Sequence, residues 1–485
     1  MSEKIEELRK VRIQKLEQLR KLGVDPYPVS TSRTHSIGEA VLKFSQISDS
    51  KKQITLTGRI KALRAHGKLT FANLEDESGS IQLLFREDVL GAERFKQLEL
   101  LDIGDFLEVS GTLALSKTGE KSLEAKSYKL LAKSIRPIPS EFYGLKDIET
   151  RLRKRYLDLL ANPETRELFR KKTIFWQTVR NFMIKQGFLE VWTPVLENIP
   201  GGADANPFVT HHNALDRDFY LRISLELPLK RLLVGGFDKV FEIGRLFRNE
   251  GIDREHLQEY DDMEFYWAYA DDKDGMKLAE KLFKEVVKKV CGTMETEYEG
   301  HRINWANKWP KVDYFKAFKE ASGLDLNKVT DDQLRSKAKE LGADVDVSAN
   351  AGRLIDAIYK KNVRPKLIQP SFLVGHPLAI SPLAKLDPKN PKKVLRFQIL
   401  AAGTELGNAW AELNDPLDQR KRFEQQMKLR EAGDKEAQMM DEDYVEAMEY
   451  GMPPAVGFGV SERLFAVLMN KSMRETVIFP PMKEQ

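Results

Sequence analysis

Two clusters in this 485-residue chain combine residue types that could do chemistry. The first is Phe241-Glu242-Ile243-Gly244-Arg245-Leu246-Phe247-Arg248-Asn249-Glu250-Gly251. Its apolar residues Phe241, Ile243 and Phe247 predict a strand, and period-two alternation puts Glu242 and Arg248 on the other face. A guanidinium fork fixed on a strand matches two phosphate oxygens, and Glu250 in the following polar turn can accept from an exocyclic amine. The pair suits a polyanion that bears a base. A second strand from Asp262 to Tyr269 would complete a hairpin with a long loop. The plainer alternative is a charged face on an edge hairpin.

The second cluster is acidic. Glu226 lies just before Pro228, Glu264 and Tyr266 share one strand face, and Asn408, Trp410 and Glu412 share another. Several carboxylates beside an aromatic suit a ligand with an amino group, through charge pairing and a packed alkyl chain. Any one of these glutamates reads more readily as a surface or strand-pairing residue. The combination favours a ligand.

Several elements must position these clusters. Residues 2–23 pattern as an amphipathic helix, with Ile5, Leu8, Leu16, Leu19 and Leu22 on one side and Gly23 as a stop. Lys4, Arg9, Lys10, Arg12, Lys15, Arg20 and Lys21 make it basic. It reads equally as a solvated helix docked weakly on the body or as a non-specific phosphate contact. Residues 53–135 hold about five short alternating strands with glycine at bends, the pattern of a small Greek-key barrel of the OB type. Arg64, Phe71 and Gln82 would fall on one barrel face, an arginine, an aromatic and an amide able to meet unstacked bases. A plain structural barrel fits the strand pattern equally well. Residues 136–150 are a proline-marked linker. Helices are expected over 149–160 and 167–186. A strand over 187–196 is interrupted by Pro194, hence an edge or interface strand. The segment 272–363 looks like a helical insertion.

Composition bounds the rest. A net charge of +4 gives no strong global pull toward nucleic acid, so any basic surface is local. The single cysteine, Cys291, excludes a disulfide framework and a cysteine-based zinc site. No apolar run approaches the roughly 18 residues of a membrane span, and the N-terminus carries no apolar signal core. A cytoplasmic protein without membrane contact is expected.

Over nearly its whole length the chain resembles the class II lysyl-tRNA synthetases. The likeness is carried by Ile199-Pro200-Gly201-Gly202-Ala203, His211-His212-Asn213-Ala214-Leu215-Asp216, Leu229-Lys230-Arg231-Leu232 and Phe247-Arg248-Asn249-Glu250-Gly251. It continues in Ser381-Pro382-Leu383-Ala384-Lys385, Ala411-Glu412-Leu413-Asn414-Asp415 and Asp441-Glu442-Asp443-Tyr444. The resemblance implies an α+β protein: an N-terminal OB-type anticodon barrel at 51–136 after an extension at 1–50, a linker at 137–150, and a class II antiparallel-sheet catalytic domain at 151–485. It implies activation of L-lysine by ATP with Mg²⁺, transfer to tRNA(Lys), and a homodimer with Pro194 at its interface. By the same resemblance, Arg248 holds the α-phosphate and the lysine carboxylate, Glu250 reads the adenine amino group, and Tyr260 stacks on the base. His256 lies near the triphosphate, and Arg463 covers the adenine and meets the γ-phosphate. Gly202 and Glu226 bind the lysine α-amino group and Asn408 the carboxylate end. Glu264, Tyr266 and Glu412 meet the ε-ammonium beside Trp410. Arg64, Phe71 and Gln82 read a U-rich anticodon.

The chain also departs from the family pattern. Glu405 matches one magnesium glutamate, but Gln398 stands where the second is expected, and an amide brings no charge to a metal. Val460-Ser461 replaces a glycine–hydrophobic pair before Arg463, which implies either that Gly459 takes the glycine's place or that the ATP pocket is tighter. Glu255 replaces an arginine before His256. Two competing readings are a paralogue that lysylates another acceptor and a catalytically silent RNA-binding relative. The first would be expected to lack the barrel, and the second to lose Arg248 or Arg463.

Overall fold

The computed structural model describes residues 2–138, 147–251, 254–343, 345, 349–434 and 436–483. The chain divides into two compact units, Met1–Lys146 and Asp147–Gln485. Residues 139–146 of the expected linker lie outside the described residues. Among the described residues no helix is long and apolar enough to cross a membrane.

In the first unit, strands β1 (Ile54–His66), β2 (Leu69–Asp76), β3 (Gly79–Arg86), β4 (Phe106–Leu115) and β5 (Lys121–Ala132) close a barrel in the order β1-β2-β3-β5-β4. Neighbours are antiparallel except β3 with β5. Alternation builds the core: Ala72 and Leu74 on β2 and Ile81, Leu83 and Phe85 on β3 point inward and are buried. At Gly111 a bulge shifts the β4–β5 register, and a Cβ there would lie 2.0 Å from the Glu124 carbonyl oxygen. Only glycine permits that approach.

The helix Ser2–Lys21 is anchored to this unit. Leu16 and Leu19 are buried, and Lys15 pairs with Asp102 at 2.9 Å. Arg12 donates to the carbonyls of Ile103, Ser134 and Arg136. Two of the seven cations therefore serve docking, whereas Lys4, Lys10, Arg20 and Lys21 stay exposed.

The second unit contains β6 (Leu189–Glu190), β7 (Leu196–Glu197), β8 (Val209–His212), β9 (Arg217–Leu221), β10 (Lys239–Phe247) and β11 (Glu259–Ala268). These are followed by β12 (Glu295–Tyr298), β13 (His301–Asn304), β14 (Lys311–Asp313), β15 (Ser371–Val374), β16 (Leu386–Asp387) and β17 (Asn390–Val394). The last are β18 (Arg396–Ala401), β19 (Thr404–Ala411) and β20 (Ala455–Ser461). Eight of them form one sheet in the order β14-β15-β18-β19-β20-β11-β10-β6. The pairs β14–β15 and β10–β6 at its margins are parallel and the rest antiparallel.

The two faces of this sheet do different things. Phe241, Met263, Phe265, Phe397, Ile399, Phe458 and Val460 face the helices Pro163–Lys185 and Asp272–Cys291 and form the main core. The helix Asp272–Cys291 is set by its ends and its stripe. Asp271 caps it by accepting from the Lys273 and Asp274 amides, and Gly292 stops it at φ 72°. Such a cap contributes about 1 kcal/mol. Leu282, Phe283 and Val286 recur at helical spacing and are buried, each worth about 1.5–3 kcal/mol. The intervening strand residues, Glu264, Tyr266, Asn408, Trp410, Gly457 and Gly459, face the other way. Glu264 pairs across the sheet with Gly459, which also pairs with Asn408, and Tyr266 pairs with Gly457, which also pairs with Trp410. The two glycines leave a hollow on the open face.

Three expectations change here. The edge strand foreseen over 187–196, interrupted at Pro194, is at the sheet margin but shorter than expected: β6 covers Leu189–Glu190 and β7 begins only at Leu196. Residues 191–193 are held instead by Val191 donating to the Phe241 carbonyl at 2.9 Å and by Thr193, whose amide and hydroxyl donate to Glu242 at 2.8 and 2.7 Å. Glu242 shares the Arg248 face but is buried in a pair with Arg222 at 2.6 Å and does not line the cavity on that face. The third concerns the segment 272–363. Its first helix belongs to the main core, β12–β14 follow, and the helical part begins at Tyr314. Phe318, Leu334, Leu354 and Ile358 form a separate core for it.

Candidate active site

The hollow is a cavity of about 280 Å³. Its lining includes Gly202, Glu226, Arg248, Glu250, His256, Tyr260, Glu264, Tyr266, Glu405, Asn408, Trp410 and Arg463, twelve of the residues expected from sequence. Glu412 and Gln398 do not line it and lie behind its wall, each buried.

One end is cationic. Arg248 follows the last residue of β10; its amide donates to the Gln258 carbonyl at 2.8 Å, and Glu250 lies two residues further along the turn. Its guanidinium lies over the Tyr260 ring at 5.5 Å and donates from Nε and Nη2 to the Ile223 carbonyl at 3.3 Å. Arg463 opens the helix Arg463–Leu468, donating from Nε to the Glu255 carbonyl at 3.2 Å and from Nη1 to the Glu405 carbonyl at 3.3 Å. The Glu255 side chain, where an arginine was expected, pairs with Arg364 at 3.2 Å, so a guanidinium reaches this corner from another segment.

The other end is anionic. Glu264 Oε1 accepts from the Ser224 hydroxyl and the Leu225 amide, both at 2.8 Å, and Oε2 from the Tyr266 hydroxyl at 2.8 Å. Behind it Lys230 is fully buried between Glu226 and Glu412, with Nζ 2.5 Å from Glu412 Oε2. The Trp410 indole also donates to Glu412 Oε2 at 2.9 Å, while Glu412 Oε1 has no partner among the described residues. Burial pushes Glu226 up to about 8 and Glu412 up to about 7, with Lys230 the chief opposing influence. Burial alone would lower the Lys230 pKa; the two carboxylates outweigh it and raise it. Gly202, at φ 87°, closes this end so tightly that a Cβ would meet the Glu226 Cβ at 2.8 Å. Asn408 accepts from Arg396 Nε at 3.0 Å through Oδ1.

The uncertain register before Arg463 is explicit. Gly459 and Ser461 both line the cavity, and Val460 is in the core. Ser461 pairs across the sheet with Asp262, a lining residue not foreseen from sequence. Asp262 Oδ1 is closed off from solvent without a partner, and burial beside Glu264 pushes its carboxyl up to about 8, against Arg248. Its two-residue spacing from Tyr260 and Glu264 was the available signal. Lys230 had an available signal too, standing four residues after Glu226, where a helix brings the two together.

A cationic slot running into three carboxylates and a tyrosine can hold a nucleotide phosphate and a cationic ligand together. Comparison with known proteins places the fold. Residues 147–483 match the tRNA synthetases class II (D, K and N), and residues 54–131 match the OB-fold nucleic acid binding domain. The chain belongs to the class II tRNA synthetases of that group. Its relatives include the lysine–tRNA ligase of Carboxydothermus hydrogenoformans, 46% identical over 484 residues that cover 99% of both chains. The lysine–tRNA ligase of Roseiflexus castenholzii is 46% identical over 99% of both chains, and that of Bacillus subtilis 42% identical over 100% of this chain and 98% of its own.

In the barrel, Arg64 on β1 pairs directly with Phe71 on β2, and Gln82 on β3 pairs with Asn73, two residues along on the Phe71 face. The three expected residues thus share one outer face. Gln82 is already held there, donating to Glu120 at 2.6 Å and accepting from the Ser122 hydroxyl at 2.8 Å.

Proposed function

We propose that this chain activates L-lysine with ATP and transfers the lysyl group to the 3′ end of tRNA(Lys). The observation that carries this reading is the pairing of a cationic slot with an acidic end where Glu412 Oε1, buried without a partner, is screened from the cavity only by the bare backbone of Gly457 and so calls for an ammonium group. A lysine carboxylate oxygen attacks the α-phosphorus, the bond to pyrophosphate breaks, and lysyl-adenylate forms. The terminal ribose hydroxyl of the tRNA then attacks the acyl carbon and releases AMP. The chain contributes position and charge rather than covalent chemistry.

In this reading Arg248 clamps the α-phosphate and the lysine carboxylate, and Arg463 and His256 meet the outer phosphates. Glu250 and Tyr260 take the adenine. Gly202 and Glu226 take the α-amino group, and Asn408 the carboxylate end. Glu264, Tyr266 and Glu412 take the ε-ammonium, while Trp410 packs its alkyl chain. An uncharged isostere would leave a buried carboxylate unpaired, which costs far more than a lost methylene. Lysine-dependent ATP–pyrophosphate exchange tests the activation step, and charging of tRNA(Lys) tests the transfer. Absence of exchange with every amino acid would refute an activating enzyme. Exchange without charging would favour another acceptor.

The barrel face supports anticodon reading by stacking on Phe71. Phe71→Ala is expected to reduce tRNA charging by about tenfold, from one lost base stack, and to leave pyrophosphate exchange intact. Equal losses in both assays would make Phe71 a folding residue. Exposed Leu189, Trp192, Val195 and Leu196 surround Pro194 and support a homodimer through this segment. We place the protein in the cytoplasm, where its substrates are.

Magnesium is the cation the family implies. Glu405 fits as one carboxylate on the cavity wall. Gln398 does not fit as a second ligand: Nε2 donates to Glu405 at 2.8 Å, and Oε1 accepts from the buried Tyr359 hydroxyl at 3.2 Å. Among the described residues no group of three His, Cys, Asp or Glu is placed to hold a metal ion. Gln398→Glu is expected to lower, by several-fold, the magnesium concentration that half-saturates exchange, and to strengthen Mn²⁺ binding followed by paramagnetic resonance. Superimposable titrations would show that position 398 has no bearing on the metal.

A further inference from the structure

Lys230 is a buried cation at the anionic end that the proposed chemistry does not use. It lies on the helix Glu226–Val234, four residues after Glu226, with no solvent exposure. Its ammonium touches Glu226 on its own helix and Glu412 at the end of β19. The rings of Tyr266 on β11 and Tyr444 on the helix Glu442–Glu449 flank it at 6.0 and 5.9 Å. Glu264, bonded to Tyr266, is the next charged group. Lys230 does not line the cavity, so it acts through the two glutamates and not on a ligand.

We infer that Lys230 is a resident counter-ion that sets how much positive charge the pocket demands of its amino-acid ligand. The inference rests on the lysine-activating function. Once ionised, Glu226, Glu264 and Glu412 carry three negative charges, and Lys230 balances one; Asp262, the neighbouring buried carboxyl, is set against Arg248 instead. Two remain, matching the α- and ε-ammonium groups of lysine. Lys230 takes Oε2 of Glu412 and leaves Oε1 without a partner, so it also fixes which oxygen the ligand meets.

Without the resident charge, Glu226 and Glu412 would be two buried carboxylates in one site. Burial and mutual repulsion would drive one of them to hold a proton. That proton must leave before an ammonium can bind, so lysine affinity would rise with pH until the carboxylate is ionised. In the native protein the corresponding rise should level off at lower pH than in the variant, because Lys230 opposes the upward push that burial gives both carboxyls. Removing Lys230 takes away the strongest influence holding them down and moves the plateau upward.

The test is lysine and ATP binding to the full chain by calorimetry between pH 6 and 8.5, for the native protein, Lys230→Met, and Lys230→Met combined with Glu226→Gln. Lys230→Met should weaken lysine at pH 7 by at least about tenfold, the scale of an uncompensated buried charge, with ATP affinity changed less than about twofold. Its lysine affinity should still be climbing at pH 8.5. The double variant restores the charge balance and should recover at least about threefold of the loss with a flatter profile. Equal weakening of both ligands, or a native pH profile in Lys230→Met, would overturn the inference. Should Lys230→Met fail to fold, the double variant decides: a flat profile supports the inference, and loss of lysine binding with ATP binding intact overturns it. A native protein that binds no lysine would refute the activating function itself.

Discussion

Arg248→Ala is expected to cut lysine-dependent pyrophosphate exchange by about 10²–10³-fold. Arg248 is the cation common to both halves of the slot, with Glu250 on one side and Asp262 and Glu264 on the other. In the proposed chemistry it is the group that meets charge developing on the α-phosphate, and loss of one such donor costs about 2.7–4 kcal/mol in comparable sites. Little of the fold depends on it: among the described residues its side chain donates to the Ile223 carbonyl alone, in two long bonds of 3.3 Å, and otherwise lies over the Tyr260 ring. The variant should keep its melting temperature and oligomeric state. Near-native exchange would show that Arg248 does not hold the reacting phosphate.

Gly457→Ala should produce the second large effect, and on lysine alone. A Cβ at this position would lie 2.3 Å from Glu412 Oε1 and 2.4 Å from a ring carbon of Tyr266. Neither neighbour can withdraw: Glu412 is held by Lys230 and Trp410, and Tyr266 by Glu264. Overpacking of this kind costs about 1–3 kcal/mol, and here it falls on the oxygen reserved for the ligand. The KM for lysine should rise by about one to two orders of magnitude while the KM for ATP stays near its native value. A proportional rise in both would place the lysine pocket elsewhere.

The barrel was legible because its strands alternate cleanly: Ala72, Leu74, Ile81 and Leu83 point inward, and residues between them point out. The hairpin of β10 and β11 was legible for the same reason, and its period placed Arg248, Glu264 and Tyr266 correctly on the cavity side. Pro194 marked an interrupted edge strand, and β6 is the margin of the sheet. What it did not show is how short that strand is: beyond Val191, Thr193 and Glu242 make the bonds that a longer ladder would otherwise supply. Composition marked 272–363 as helical, but composition does not say which face a helix buries. The helix Asp272–Cys291 carries Leu282, Phe283 and Val286 into the main core, whereas the later helices keep a core of their own. Asp262 and Lys230 were passed over because a charged residue alone reads as surface; the spacing from Glu226 offered Lys230 a local partner, but its burial depends on Glu412, far along the chain.

The ion set around Lys230 also has a bearing on descent. A pocket that counts charges cannot drift toward a neutral amino acid through single replacements. Losing Glu412 strands an ammonium, and losing Lys230 strands a carboxylate, each a buried mismatch that the fold bears poorly. Any lineage leading from this pocket to a different amino acid must change two of these positions together or pass through a weakened ancestor. In a family whose description spans D, K and N, such a barrier separates this pocket from one built for an uncharged or anionic side chain.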